Sequence, residues 1–597
     1  MAGKIVRIGC SSAFWGDSAM AAPQLIHGAR IDYLVSDYLA EVTMSILARA
    51  QAKSPDLGYA TDFVQVTMRN HIRDIKAKGI KVVTNAGGIN PLACRDALLR
   101  VAAEAGVELR VAVVLGDNLT GRAEEFRAAG HREMFSGAAF PDETMSVNAY
   151  LGARPIARAL DEGAEVVITG RCVDSAVTLG PLMHEFGWAD DDYDRLAAGT
   201  LAGHILECGA QCTGGLFTDW QRVKSWENIG YPIAEVTADG SFTVAKPEGT
   251  DGLICFGSVA EQLVYEMGDP GAYHVPDVAC DFTAVEMTEV GENRVRVAGA
   301  RGQAPTVNYK VSTTFRDGYR NQALLVIGGI DAAAKARRTG ETVLARTRKM
   351  FQARNLADYT ETRIEIVGAE DMYGASARAD GGREVVLKIA ARHPQREALE
   401  ILAREFAPAG TSMAPGTMGF GGGRPAPVPL VRMFSFLLDK AAVPVSVVLD
   451  DREIPVEVAS GGGFVESASA HVTPVPAAPV QGETRSVPLI RLCYGRPGDK
   501  GDTANVGLIA REARFLPLLR AQVTPEAVKA HFAHVCKGEV RRFDLPGLNA
   551  MNFLLSETLG GGGMASLHSD NLAKAFAQVA LSMTVEVPST WVDGLAA

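Results

Sequence analysis

The chain has 597 residues and a formal net charge of −11, with 47% hydrophobic and 22% charged residues. This length predicts two to four domains with substantial buried cores. The acidic balance, without a basic stripe interleaved with aromatic residues, argues against a nucleic-acid partner. No apolar run reaches the roughly 18 residues that a transmembrane helix needs, so we expect no membrane partner.

The nine cysteines are scattered and odd in number, a pattern typical of reduced thiols rather than of a disulfide framework. The first residues lack the apolar region of a signal peptide, and we therefore expect a cytoplasmic location. His204, Cys208 and Cys212 follow one another at a helix-like spacing of four. This small-residue segment indicates an ordinary helix and turn more strongly than a metal site. We predict no metal and no bound cofactor.

Five apolar, β-like segments in the first 175 residues each lead into a loop of small and polar residues. They span residues 4–9, 31–36, 80–84, 107–115 and 164–169. Helical patterns separate them, including one predicted over 148–161, and this alternation predicts βαβ units in an α/β fold with a doubly wound parallel sheet. Ligands bind outside the carboxyl ends of such strands. The five loops therefore predict an active site on one edge of the sheet.

The rest of the chain predicts further units. We expect a core domain over 1–190, an α+β lobe over 191–466, a Pro- and Ala-rich linker over 467–486 and a small α+β domain over 487–590. Within the lobe, residues 304–314 and 318–329 predict separate strands, whereas the Gly- and Pro-rich residues 407–429 predict a long functional or disordered loop. Residues 414–423 of that loop are a candidate cover for the site.

Side chains at the five strand ends suit acid–base chemistry and anion binding. Catalytic candidates are Asp37, Glu41, Asp117 and Asp174, and binding candidates are Ser11, Ser12, Asn85, Gly87, Gly88, Asn118 and Arg171. A carboxylate with a raised pKa can move a proton, an arginine can clamp a carboxylate or phosphate, and small residues before a helix can hold an oxyanion. Each carboxylate alone could equally cap the following helix. The prediction of a catalytic role therefore depends on the clustering of these carboxylates at the strand ends.

The small C-terminal domain supplies a second set of candidates. Its segment 494–505 is predicted to link two strands, and Gly498, Asp499, Lys500, Asp502 and Asn505 could form an anion-binding turn or hold a cation. The same residues equally fit an Asp-Gly hairpin. Four glycines at 560–563 allow close approach to a ligand or to another backbone, or form a flexible loop.

Other chemistry is disfavoured. No G-x-G-x-x-G follows the first strand and no Walker lysine motif is present, which argues against NAD and ATP. Cys172 indicates a buried inert thiol more strongly than a nucleophile. His184, His204 and His274 are candidate bases, although each fits a structural role better.

Several of these stretches resemble the acyclic terpene utilisation protein A family, AtuA. They are IGCSSAFWGD at 8–17, TNAGGINP at 84–91, TGRCVD at 169–174, VAEQLVYE at 259–266, APGT at 414–417, GDKGDTAN at 498–505 and GGGG at 560–563. The likeness covers residues 4–455, and residues 487–590 resemble the ferredoxin-like domain appended to that family. The motifs occur in order across both regions.

The resemblance implies a context of bacterial breakdown of acyclic terpenoids and branched acids, whose intermediates travel as acyl-CoA thioesters. It brings no catalytic residue set with it. The preferred interpretation is an enzyme acting on an acyl-CoA or related carboxylate by hydration/dehydration or C–C cleavage, with coenzyme A as part of the substrate. One alternative is a non-catalytic partner of an acyl-CoA carboxylase. Another is a metal-dependent hydrolase using Asp17, Asp117, Asp174 or Asp499. Size favours a homo-oligomer.

Overall fold

The computed structural model describes residues 3–378, 381–419, 421, 423–464 and 475–595. The strands are β1 (Ile5–Cys10), β2 (Tyr33–Ser36), β3 (Lys81–Thr84), β4 (Val111–Leu115), β5 (Ser146–Ala149), β6 (Val166–Ile168), β7 (Ile233–Thr237), β8 (Phe242–Ala245), β9 (Tyr273–His274), β10 (Ala279–Asp281), β11 (Glu286–Gly291), β12 (Arg294–Ala298), β13 (Arg301–Gln303), β14 (Asn308–Gly328), β15 (Glu361–Val367), β16 (Glu384–His393), β17 (Thr417–Gly419), β18 (Val428–Asp439), β19 (Val445–Leu449), β20 (Arg452–Val456), β21 (Thr484–Pro488), β22 (Cys493–Lys500), β23 (Thr503–Ala510), β24 (Val540–Leu545), β25 (Ala550–Leu555) and β26 (Thr584–Pro588).

The α-helices are α1 (Ala21–Gly28), α2 (Glu41–Lys53), α3 (Arg69–Lys78), α4 (Pro91–Ala105), α5 (Ala123–Ala128), α6 (Arg154–Asp161), α7 (Ala176–Phe186), α8 (Tyr193–Leu206), α9 (Phe256–Val264), α10 (Ala332–Ala353), α11 (Arg396–Glu405), α12 (Ala409–Ser412), α13 (Leu516–Gln522), α14 (Pro525–His531) and α15 (Phe576–Leu581). A π-helix, Phe63–Met68, precedes α3. None of the helices among the described residues is long and apolar enough to cross a membrane.

An eleven-stranded mixed sheet organises the first 456 residues. Its order is β11-β12-β8-β7-β1-β2-β3-β6-β4-β19-β20. The five strands predicted at the start of the chain form its parallel centre, β1-β2-β3-β6-β4. Antiparallel strands from beyond residue 190 extend both edges. The fold class is therefore mixed α/β, with five parallel strands at the centre of the sheet and antiparallel strands at both edges; the doubly wound arrangement predicted for the N-terminal core stays a prediction.

Helices cover both faces of this sheet because the chain reverses direction once. It advances from β1 through β2 and β3 to β4, and then returns to insert β6 between β3 and β4. Leu25 of α1 and Leu98 of α4 pack in the core on one face, whereas Ile156 of α6 and Leu179 of α7 pack in the core on the other. Right-handed crossovers produce this arrangement. The reversal gathers the loops after β2, β3, β4 and β6 around one point, where ligands bind in such sheets.

Two sequence predictions fail around the long strand β14. The helix predicted over 148–161 begins only at Arg154, because residues 146–149 form β5 and pair with β14. The two strands predicted over 304–314 and 318–329 are one strand of 21 residues. The interruption between them is a bulge at Gly318, whose φ of 77° suits glycine.

The second sheet has the order β15-β16-β14-β17, with β18 and β5 also paired to β14. Helices α10 and α11 pack against it around Val343, Leu387 and Leu399. The loop predicted over 407–429 is partly regular, since α12 and β17 lie within it; Phe420 and Gly422 are outside the described residues. β17 pairs with Leu325–Ile327, at the opposite end of β14 from the candidate site. The predicted cover at 414–423 is therefore not placed over the site.

The C-terminal unit is a four-stranded antiparallel sheet of order β22-β23-β25-β24, accompanied by the β21–β26 pair. The segment predicted as a linking loop, 494–505, is mostly strand: β22 and β23 form a tight hairpin that turns at Gly501 and Asp502. β21 begins inside the predicted linker 467–486, whose first eight residues lie outside the described part of the chain. The proposed division into domains stays a prediction.

Candidate functional site

The loops after β2 and β3 meet in a buried hydrogen bond. Asn85 Nδ2 donates to Asp37 Oδ1 at 2.5 Å, and Asn85 Oδ1 accepts from the Tyr38 backbone at 2.7 Å. Both side chains are buried. Parallel pairing brings these loops together, because Ser36 and Thr84 are register partners at the ends of β2 and β3. The amide therefore fixes the orientation of the carboxyl group.

Ser11 and Ser12, at the end of β1, support the same loop. The Ser12 carbonyl accepts from the Asp37 backbone at 3.0 Å, and the Ser11 and Ser36 hydroxyls share a 2.8 Å hydrogen bond. Both serine side chains are buried. They therefore hold the β2 loop in place rather than present hydroxyls to solvent.

The loop after β6 contributes a buried arginine. Arg171 Nη1 donates to Asp174 Oδ1 at 2.7 Å, and its guanidinium carbon lies 4.2 Å from the centre of the Tyr150 ring. The Tyr150 hydroxyl donates to Glu41 Oε1 at 2.6 Å, and Lys310 Nζ lies 3.9 Å from the same oxygen. The structure thus brings Glu41, Arg171 and Asp174 together, with Tyr150 and Lys310 between them.

Asp117, at the end of β4, serves as an internal anchor. Its Oδ2 accepts from the Arg171 backbone at 2.8 Å and from Asn148 Nδ2 at 2.9 Å. Burial raises the pKa of Asp117 to about 6, against these hydrogen bonds. Asn118 is exposed; its Nδ2 donates to the Ile89 carbonyl at 3.3 Å and its Oδ1 accepts from the Thr120 amide at 3.1 Å. The geometry favours a positioning role for Asp117.

Gly170 leaves room for this anchor, and we expect Gly170→Ala to disturb it. An alanine Cβ would lie 2.4 Å from Asp117 Oδ1. Such overpacking costs about 1–3 kcal/mol, and we expect urea unfolding to show a loss in this range. Gly121→Ala is the matched control, because no atom lies within 4 Å of its Cβ position. Equal stability of the two variants would contradict the anchoring role.

Gly87 and Gly88 let two backbones approach closely. A Cβ on Gly87 would lie 2.5 Å from the Thr169 carbonyl oxygen, and one on Gly88, whose φ is 55°, would lie 2.4 Å from Leu47. The Gly88 amide donates to the Asn85 carbonyl at 3.2 Å. This amide is therefore committed to the turn and not free for an oxyanion.

The tip of the β22–β23 hairpin faces these strand ends from the C-terminal unit. Lys500 forms a short ion pair with Glu266, and Asp499 Oδ1 lies 3.8 Å from Lys574 Nζ. The Lys500 ammonium also acts on Glu41, Asp174 and Glu207. Two distant parts of the chain therefore contribute charge to one site.

The remaining hairpin candidates join the two units. Asn505 Nδ2 donates to the Val264 carbonyl at 2.8 Å, and a Cβ on Gly498 would lie 2.4 Å from the Glu266 amide nitrogen. Asp502 Oδ1 accepts from the backbones of Leu559 and Gly561, both at 2.9 Å. Asp502 thus holds the start of the four-glycine segment.

The charges at this site shift several pKa values in opposite directions. Burial raises the pKa of Asp37 well above its ordinary value; the Asp174 charge adds to this, and Arg171 opposes it. Burial likewise raises the pKa of Asp499 to about 7, with Glu266 adding to it. Burial alone would raise the pKa of Glu41, but Lys310, Lys500 and Arg171 hold it below its ordinary value. The site therefore contains carboxyl groups whose pKa values are shifted in opposite directions.

A buried histidine–glutamate pair adjoins the site. His204 Nε2 donates to the Leu263 carbonyl at 2.9 Å, which leaves Nδ1 facing Glu207 Oε1 at 3.3 Å. Burial raises the pKa of Glu207, with Asp174 adding to it, whereas His204 and Lys500 oppose the increase. Burial alone would lower the pKa of His204, but Glu207 raises it. The two side chains therefore form a buried, electrostatically coupled pair.

Solvent reaches several charged side chains of the site, although many neighbouring groups are buried. The side chains of Lys500 and Lys310 remain 57% and 34% exposed, and those of Asp174 and Glu41 about one quarter exposed. These four groups nevertheless act electrostatically on Arg171 or on one another. Charged side chains from both units are therefore accessible to solvent at this site.

Several residues at or beside the site were not predicted from the sequence. They are Tyr150, Lys310, Glu207, Tyr265, Glu266 and Lys574. Tyr150 directly follows β5, and Lys310 lies near the start of β14. Neither strand was predicted to meet the strand ends. Glu266 carried a signal, since it lies in the VAEQLVYE stretch; its φ of 51° is a strained conformation of the kind found at ligand sites.

Other candidates lie apart from this chemistry. Asp17 is occupied by the Ala13 and Ser18 amides and by the Tyr231 hydroxyl. Burial raises the pKa of the Cys172 thiol to about 12, so it is unreactive. His184 pairs with Asp161.

Two family models match the chain. The model described as acyclic terpene utilisation family protein AtuA matches residues 6–449, and the AtuA ferredoxin-like domain matches residues 487–586. A comparison with curated proteins finds no match. The two matched regions include both sides of the site and confirm the resemblance predicted from the sequence. The chain belongs to the acyclic terpene utilisation family AtuA.

Proposed function

We propose that this protein is an enzyme of branched-acid breakdown that binds an acyl-CoA thioester or a related carboxylate at this cluster of charged groups from both units. The reaction is a hydration/dehydration or a C–C cleavage beside the carbonyl. Family membership supports a role in acyclic terpene utilisation. The observation that carries the proposal is the combination of a carboxyl group with a raised pKa, Asp37, and two nearby cations, Arg171 and Lys500.

These groups suit the two requirements of such a reaction. Arg171 and Lys500 offer charge-assisted hydrogen bonds to a carboxylate or to a thioester oxygen that becomes negative. Asp37, whose pKa is raised by burial, is the proposed acid that protonates the leaving hydroxyl or the cleaved carbon. Glu207, paired with His204, is the proposed base.

Binding and turnover of a panel of acyl-CoA thioesters and free branched carboxylates test this proposal. We expect at least one compound to bind by calorimetry and to be converted. Lys500→Met should weaken its binding about tenfold or more, as expected for loss of a hydrogen bond to a charged group. Lys349→Met, at an exposed position of α10, is the control.

Two results would contradict the proposal. The first is that no compound binds at millimolar concentration. The second is equal affinity of wild type and Lys500→Met. Co-purification with an acyl-CoA carboxylase, without turnover of any compound, would instead favour the non-catalytic partner.

A further inference from the structure

Two histidines and an aspartate meet on the surface between α1 and α3. They are His27 near the end of α1, and His71 and Asp74 on α3. One ligand atom from each lies within 4.8 Å of the others, and His27 Nε2 lies 3.6 Å from Asp74 Oδ2. Among the described residues this is the one group of three such side chains with this geometry. We propose that it binds a divalent transition-metal ion, with Zn²⁺ as the best fit.

The donor set suits this class of ion. Two imidazoles and a carboxylate are ligands of Zn²⁺ and of similar borderline ions, whereas Mg²⁺ and Ca²⁺ prefer oxygen alone. Tetrahedral coordination at about 2.0–2.1 Å places ligand atoms about 3.3 Å apart. The separation of His27 Nε2 and Asp74 Oδ2 is close to that value. Small rotations of exposed side chains would complete the site.

The scaffold favours binding. His71 and Asp74 are three residues apart on one helix and therefore share a face, and Ile72 and Ile75 fix that helix in the core. Among the described residues, no hydrogen-bond partner is found for either ring nitrogen of His71.

The position of this triad separates it from the strand-end site. α1 leads from the end of β1 back toward the start of β2, so its last residues, including His27, lie at the opposite edge of the sheet. Bound metal would link α1 to α3. The proposal therefore concerns a structural site, and it is independent of the proposed catalytic function.

Calorimetry on the full-length protein, first treated with chelator, tests the site with Zn²⁺. We expect one ion per chain with a Kd below about 10 µM, a higher Tm with Zn²⁺, and a visible absorption spectrum of low-symmetry coordination with Co²⁺. His71→Ala should abolish all three effects, and the exposed variant His27→Ala should weaken binding at least tenfold.

His184→Ala is the matched control, because His184 also contacts an aspartate but lacks the third ligand. It should bind like the wild type. Unchanged stoichiometry and affinity in both His71→Ala and His27→Ala would overturn the proposal. Absence of binding to wild type at 100-fold higher Zn²⁺ than the expected Kd would overturn it as well.

Discussion

Replacing Arg496 with methionine is expected to lower the free energy of unfolding by about 3–5 kcal/mol, because it leaves a buried charge without its partner. Arg496 on β22 and Glu261 on α9 are both almost fully buried, with Nη1 3.8 Å from Oε2. The guanidinium also donates to the Leu216 carbonyl at 3.1 Å. Glu261 keeps only the Thr218 backbone as a hydrogen-bond donor in the variant.

This loss should depend on pH. Burial raises the pKa of Glu261 to about 7, and Arg496 is the main influence that opposes the increase. Without Arg496 the pKa of Glu261 in the folded variant rises further above its value in the unfolded chain. The folded variant therefore keeps a proton on Glu261 at pH values where Glu261 of the unfolded chain is ionised. Stability is then lost as pH rises, and the effect should be larger at pH 8 than at pH 5.

Urea unfolding at both pH values measures these effects. Arg69→Met is the control, since Arg69 forms a 2.8 Å ion pair with Glu104 that is exposed on both sides. Such a pair contributes at most about 1 kcal/mol. A loss below 1 kcal/mol for Arg496→Met, or no difference between pH 5 and pH 8, would show that this pair does not hold the two units together.

Replacing Asp37 with asparagine should lower turnover of an identified substrate by about 100-fold to 10,000-fold, the usual contribution of general acid catalysis. Asparagine keeps the oxygen that accepts from Asn85 and from the Leu39 backbone. The fold and the binding of substrate should therefore change little. The loss should appear in kcat, because the variant cannot donate a proton.

The pH profile gives a second readout for Asp37. Wild-type turnover should fall as pH rises above the raised pKa of Asp37, because the acid is then ionised. The variant should lack this decline. Asp32→Asn is the control, since Asp32 precedes β2 on the opposite edge and accepts from the Arg7 backbone. Turnover of Asp37→Asn within threefold of wild type would remove Asp37 from the mechanism.

The parallel centre of the fold could be predicted from sequence because its evidence is local. Each of the five strands is a short apolar run between helical patterns; β2, β3, β4 and β6 fall within the predicted segments, and β1 extends one residue beyond its own. Polar residues at their ends, such as Asp37 and Arg171, identified one edge of the sheet. Order within the sheet was not predicted, since the return of β6 between β3 and β4 depends on packing across both faces.

The rest of the candidate site depends on contacts between distant residues. Tyr150 and Glu41 are 109 positions apart, and Lys500 and Glu266 are 234 positions apart. Neither hydrophobic periodicity nor a short motif predicts contacts between residues so far apart in the sequence. Residue type alone also leaves roles open: Asp117 was predicted to be catalytic, which stays a prediction, while its hydrogen bonds to the Arg171 backbone and to Asn148 favour a positioning role. Charge alone cannot distinguish a buried anchor from a reactive group.

We propose above all that the strand-end residues and the β22–β23 hairpin bind one ligand between them. A crystal structure of the full chain with a branched acyl-CoA thioester tests it most directly. We predict density for a carboxylate or thioester oxygen within hydrogen-bond distance of Arg171 or Lys500, with the acyl group toward Asp37. Ligand bound elsewhere on the protein, with only water between Lys500 and Arg171, would contradict the claim.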